Sequence, residues 1–125
     1  MSECYVARPD GIASKVLDGE AVVIDLDTGV YFGLNTTGTA LWGLIEAGPR
    51  SADELAGGLA AAHGQGAEAV LADVRFFLDG LVRDGLVVAT DAPATTTAAV
   101  PSQGPYLAPA AERYDKLDEL MLSGE

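Results

Sequence analysis

Cysteine is almost missing from this chain, with one residue, Cys4, in 125. That excludes an internal disulfide framework and any multi-cysteine metal site within a single chain. Histidine is as scarce: the lone His63 stands among Ala61, Ala62 and Gly64, where it reads as a solvated or helix-end residue and not as a catalytic base. Positive charge is the third shortage. Seven Lys and Arg face nineteen Asp and Glu, for a net charge of -12. Nucleic-acid binding relies on Lys and Arg to neutralise phosphates. Here Arg8, Lys15, Arg50, Arg75, Arg83, Arg113 and Lys116 are scattered singly, so DNA, RNA and an anionic membrane surface are excluded as partners. No apolar run reaches the length needed to cross a bilayer. Met1-Ser2-Glu3-Cys4 has neither the basic region nor the apolar core of a secretory signal, which makes the cytoplasm the expected compartment. A nucleophile elbow, zinc spacing, a calcium loop and a phosphate loop with its Lys are all missing. No enzyme, cofactor or metal is expected.

What is there is globular, with 49% apolar and 21% charged residues. Residues 1–11 carry no periodicity and read as a flexible lead-in. Three short β-rich runs follow, Ala13 to Leu17, Ala21 to Leu26 and Val30 to Leu34. Asp18-Gly19 and Asp27-Thr28-Gly29 separate them, so they form an antiparallel meander. Asn35, Thr36 or Thr37 then caps a helix that turns Leu41, Trp42, Leu44 and Ile45 inward and stops near Gly48-Pro49. Ser51 and Glu54 make a capping box for a second helix, which carries Leu55 and Leu59. A third helix, from about Ala67 to Asp84, buries the stripe Val70, Val74, Phe77, Leu78 and Leu81 and is closed by Gly85. Leu86 to Ala89 offers a last strand. The expected fold is α+β, a three-stranded antiparallel sheet followed by three helices. The last two helices resemble a winged helix-turn-helix.

That architecture has two uses. A basic recognition helix enters a DNA groove, but Glu68, Asp73, Asp79 and Asp84 outnumber Arg75 and Arg83 on the third helix. The other use is addition of an extended peptide to the edge of the sheet.

The run from Asp18 to Asn35, with Val30-Tyr31-Phe32-Gly33-Leu34-Asn35 at its end, resembles the opening of PqqD-like proteins. The likeness continues through Gly38-Thr39-Ala40-Leu41-Trp42 and takes in Asp73-Val74, Phe77-Leu78 and Gly85-Leu86-Val87. It covers residues 12–90, the expected domain. The resemblance implies a non-catalytic recognition element for ribosomally made, post-translationally modified peptides. Such an element binds a precursor leader as an added strand. It then presents the core to a modifying enzyme, such as a radical SAM enzyme, a protease or a cyclase. Carried onto this chain, it makes Val30, Tyr31, Phe32, Gly33 and Leu34 the receiving edge. Asp73, Val74, Phe76 and Phe77 become the groove wall. Tyr31 and Phe32 point to opposite faces of one strand, so whichever faces outward is the better anchor. Trp42 is read as core. Phe76, off the main stripe, either lines the groove or packs under a loop. A second reading is a regulatory adaptor of the same fold that binds a partner protein.

Residues 91–104, rich in Ala, Thr and Pro, read as a linker. Residues 105–125 regain helical spacing through Ala110, Tyr114, Leu117 and Met121, and read as an amphipathic docking tail opened by Tyr106 and Pro109. Tyr106-Leu107-Ala108-Pro109 is similar to the Tyr-x-x-Pro element that lasso-peptide recognition domains bind. The match is partial, because Ala111 stands where a Leu is usual and Asp115 where a Gly is. The expectation is therefore a helix docked away from the leader groove, on its own domain or on a partner enzyme.

Overall fold

A computed structural model describes residues 3–93, 100 and 105–114. Strand β1 is Cys4–Ala7, and the meander is β2 (Ile12–Leu17), β3 (Glu20–Asp25) and β4 (Tyr31–Leu34). Helix α1 spans Thr36–Ala47, β5 is Arg50–Ser51, α2 is Ala52–His63 and α3 is Ala67–Arg83. Strands β6 (Val87–Thr90) and β7 (Ala111–Tyr114) complete the order. The fold is α+β with two small antiparallel sheets, ordered β5-β1-β6 and β2-β3-β4-β7.

The local signals act where the sequence places them. Asp18 and Gly19 both take positive φ, 53° and 81°. That backbone matches the twist of a tight hairpin, and β2 pairs with β3 from Ile12–Asp25 to Leu17–Glu20. Asn35 caps α1 by accepting the Gly38 N–H at 2.9 Å. Ser51 and Glu54 form the reciprocal capping box of α2. Trp42 is 2% exposed and lies in the core, together with Phe32, Leu34, Leu41, Leu55, Leu59 and the α3 stripe.

Two expectations are corrected here. The lead-in is not featureless: Cys4–Ala7 pairs with β6 and β5, and Cys4 is buried. Its partners lie far away in sequence, so no local pattern announces the strand. Arg8, just beyond it, joins the two sheets. Its guanidinium donates to Asp25 Oδ1 at 3.1 Å and to the Gly85 carbonyl at 3.3 Å, and it holds the Asp25 carboxyl below its usual range. The second correction is in the tail, where the expected helix is replaced by strand β7 over Ala111–Tyr114. Leu117 and Met121 lie outside the described residues.

Candidate functional site

Strand β4 has two hydrogen-bonding sides. The Asp25 N–H donates to the Val30 carbonyl at 2.8 Å, and β3 pairs with β4 as Val22–Gly33, Val23–Phe32 and Ile24–Tyr31. Antiparallel alternation from that bond directs the peptide groups of Phe32 and Leu34 to β3, and those of Tyr31 and Gly33 away from it. Val30 lies just before β4 with its carbonyl already used by Asp25, so the outward groups begin at Tyr31. Side chains alternate out of the sheet plane. Phe32 and Leu34 enter the core, each 2% exposed. Tyr31 therefore belongs to the opposite face, the outward one of the two aromatics. It is buried because Tyr114 stacks on it, with ring centroids 5.0 Å apart and an interplanar angle of 14°.

The outward side of β4 is occupied by the chain's own tail. β7 pairs antiparallel with it as Tyr31–Tyr114, Phe32–Arg113, Gly33–Glu112 and Leu34–Ala111. The Asn35 N–H donates to the Ala110 carbonyl at 3.1 Å. By alternation from there, Gly33–Glu112 and Tyr31–Tyr114 are the hydrogen-bonded pairs. The tail was expected to dock elsewhere; it is seated on the edge that the family resemblance assigns to a leader.

Asn35 holds this segment with more than its backbone. Its Nδ2 donates to the Ala108 carbonyl at 2.8 Å, and its Oδ1 accepts the Ala110 N–H at 3.1 Å while capping α1. Gly38 makes the approach possible. A Cβ there would sit 3.2 Å from both the Ala110 carbonyl oxygen and Phe77 Cε1.

Upstream, Pro109 is buried and Tyr106 is half-buried. The Tyr106 hydroxyl donates to Asp73 Oδ2 at 2.8 Å, and its ring meets His63 edge-on at 5.7 Å. Burial, and then the Asp73 carboxylate, push the Tyr106 phenol up to about 12. Still earlier, Val100 is 4% exposed on α2 beside Gly58, where a Cβ would come within 2.5 Å of Val100 Cγ2.

The other wall is α3. Phe76, 80% exposed, and Phe77, 4% exposed, line a cleft of about 140 Å³ against Pro109, Ala110 and Ala111. At its far end Arg113 pairs with Asp84 at 3.6 Å. Val74 is corrected from groove wall to core, at 0% exposure. The structure thus gathers Tyr31, Gly33, Asp73, Phe76 and Phe77 around Tyr106, Pro109 and Tyr114. Phe32 and Leu34 support the strand from the core. The sequence reading missed Asn35 and Gly38 as contacts. The only local hint was an Asn, which has a donor as well as an acceptor, at the cap of α1.

Among the described residues no group of three or more His, Cys, Asp or Glu could hold a metal ion, and no helix is long and apolar enough to cross a membrane. What the groove offers is a backbone ladder, one amide clamp, one carboxylate acceptor and an aromatic lip. That equipment recognises an extended peptide.

The sequence profile of a family described as "Coenzyme PQQ synthesis protein D (PqqD)" matches residues 20–87. Among solved structures, the one titled "TbiB1 in Complex with the TbiA(beta) Leader Peptide" is similar at a TM-score of 0.60 and 32% identity. The likeness covers 66% of this chain and 93% of that one. No curated protein matches the sequence.

Proposed function

Because the chain belongs to the PqqD family, we propose that it is a non-catalytic binder of a precursor leader peptide, which it presents to a modifying enzyme. The leader adds to β4 as a strand in the groove against α3. The observation that carries this is the seating of an extended segment on that edge. Tyr31 and Gly33 offer their peptide groups there, and Asn35 and Asp73 supply the side-chain bonds. The similar protein TbiB1 was solved with a leader peptide, which supports the same occupant. The enzyme served is a radical SAM enzyme, a protease or a cyclase. The cytoplasm, where a newly translated precursor is available, is the place for the encounter.

The decisive experiment is a titration of the isotope-labelled chain with the leader of a precursor encoded beside its gene, followed by amide NMR. Shifts should concentrate on Tyr31, Gly33, Asn35 and the groove side of α3. Shifts confined to the β2 edge, or none at saturating leader, would refute the reading.

A further inference from the structure

A groove built to receive a strand in trans would be expected to stand open, yet this one is filled by residues of the same chain. The filling is specific. The segment is fixed at both ends and in the middle: the Tyr106 hydroxyl on Asp73 at 2.8 Å, Ala108 and Ala110 on Asn35, and Tyr114 stacked on Tyr31 at 5.0 Å. Gly38 leaves the space that the Ala110 carbonyl enters. The segment therefore has the equipment of a ligand, with backbone pairing for affinity and two tyrosines and a buried proline for register.

We propose that residues 105–114 are a tethered ligand of the chain's own strand-addition groove, so that a leader arriving in trans binds only by displacing them. This rests on the leader-binding reading above and adds its regulation. The two strands compete for the same outward groups of Tyr31, Gly33 and Asn35, and a β-edge has room for one. A tether holds its ligand at an effective concentration of about a millimolar, and a segment with an intrinsic Kd of about 100 µM then weakens a competitor about tenfold. The competitor gains access when its own affinity, or a partner that removes the tail, overcomes that factor.

The test uses the full chain and a dye-labelled synthetic peptide with the sequence of residues 105–114. Glu112→Pro removes the tail N–H that pairs with Gly33 and leaves every groove residue intact. Tyr106→Ala removes the hydroxyl that donates to Asp73 at the other end, again with every groove residue intact. By fluorescence anisotropy, both variants should bind the labelled peptide about tenfold more tightly than the wild-type chain. Equal affinity in wild type and variants, or no binding to any of them, overturns the proposal. The precursor leader serves as the second probe. If the labelled peptide follows the expected pattern while the leader binds none of the chains, the tether stands and the leader-binding reading fails. If the leader binds wild type and both variants equally, the tether fails and the leader reading stands.

Discussion

Asn35 joins two tasks in one side chain, and Asn35→Asp separates them. Asp caps helices as well as Asn does, and its charge suits the positive end of α1. The acceptor that takes the Gly38 and Ala110 N–H groups survives. What disappears is the Nδ2 donor to the Ala108 carbonyl, a bond of 2.8 Å. A carboxylate oxygen then faces a carbonyl oxygen with no proton between them. The Ala108 carbonyl is exposed, so water takes up the freed acceptor and the loss costs about 0.5–1.5 kcal/mol, or about 2- to 13-fold in the docking equilibrium. Amide exchange reads this directly, because the Tyr31 and Gly33 N–H groups are covered by β7 while that of Phe32 is covered by β3. Exchange at Tyr31 and Gly33 should accelerate by that factor, with Phe32 unchanged. The melting temperature should hold or rise slightly. Unchanged protection at Gly33 would refute the clamp, and equal acceleration at Phe32 would show that the substitution acts by loosening the whole domain.

The same geometry and the net charge carry further outcomes. Gly33→Pro should release β7 and abolish peptide binding in a folded domain, because its N–H points away from β3. Phe32→Pro should unfold it, since a buried ring worth about 3–5 kcal/mol and a core ladder bond go together; circular dichroism distinguishes the two. Tyr106 has a docked pKa of about 12 against an ordinary 10.0, so its contribution to docking is whole below pH 10 and lost as pH rises through about 12. A dye on Leu107→Cys, selective because Cys4 is buried, should report that alkaline release by anisotropy, and Tyr106→Phe should remove the transition. With a net charge of -12, duplex DNA should show no binding in a gel shift at physiological salt, and micromolar binding would restore the winged-helix DNA reading.

How much of this was legible depends on how local the cause is. The Asp18-Gly19 turn, the Ser51–Glu54 capping box and the α3 stripe are written within a few residues each, and the structure contains all three. Strand β1 depends on β6, eighty or more positions away, and Tyr5-Val6 alone does not declare it. β7 is harder still. Ala110-Ala111-Glu112-Arg113 is made of good helix formers, and its spacing invited a helix. A short helix is marginal in isolation, whereas β4 supplies a ready ladder, so the tertiary partner overrides the propensity. Family likeness located β4 and α3, but the clamp at Asn35 becomes visible only when Ala108 and Ala110 are brought beside it.

Val100, seated against Gly58, gives the tail a fixed point on α2 that does not depend on β7. When β7 lifts off β4, the chain between Val100 and Tyr114 still ends at that point. Fourteen residues fully extended reach at most about 50 Å. The freed strand is therefore on a leash, and its return is a first-order event whose rate does not depend on how much protein is present. Dilution cannot empty the groove, and a neighbouring copy has little chance to capture the strand before its own edge does. Enlarging Gly58 would lengthen the leash to the stretch from Thr90 to Tyr114 without touching the groove, lowering the effective concentration about twofold while the closure stays intramolecular.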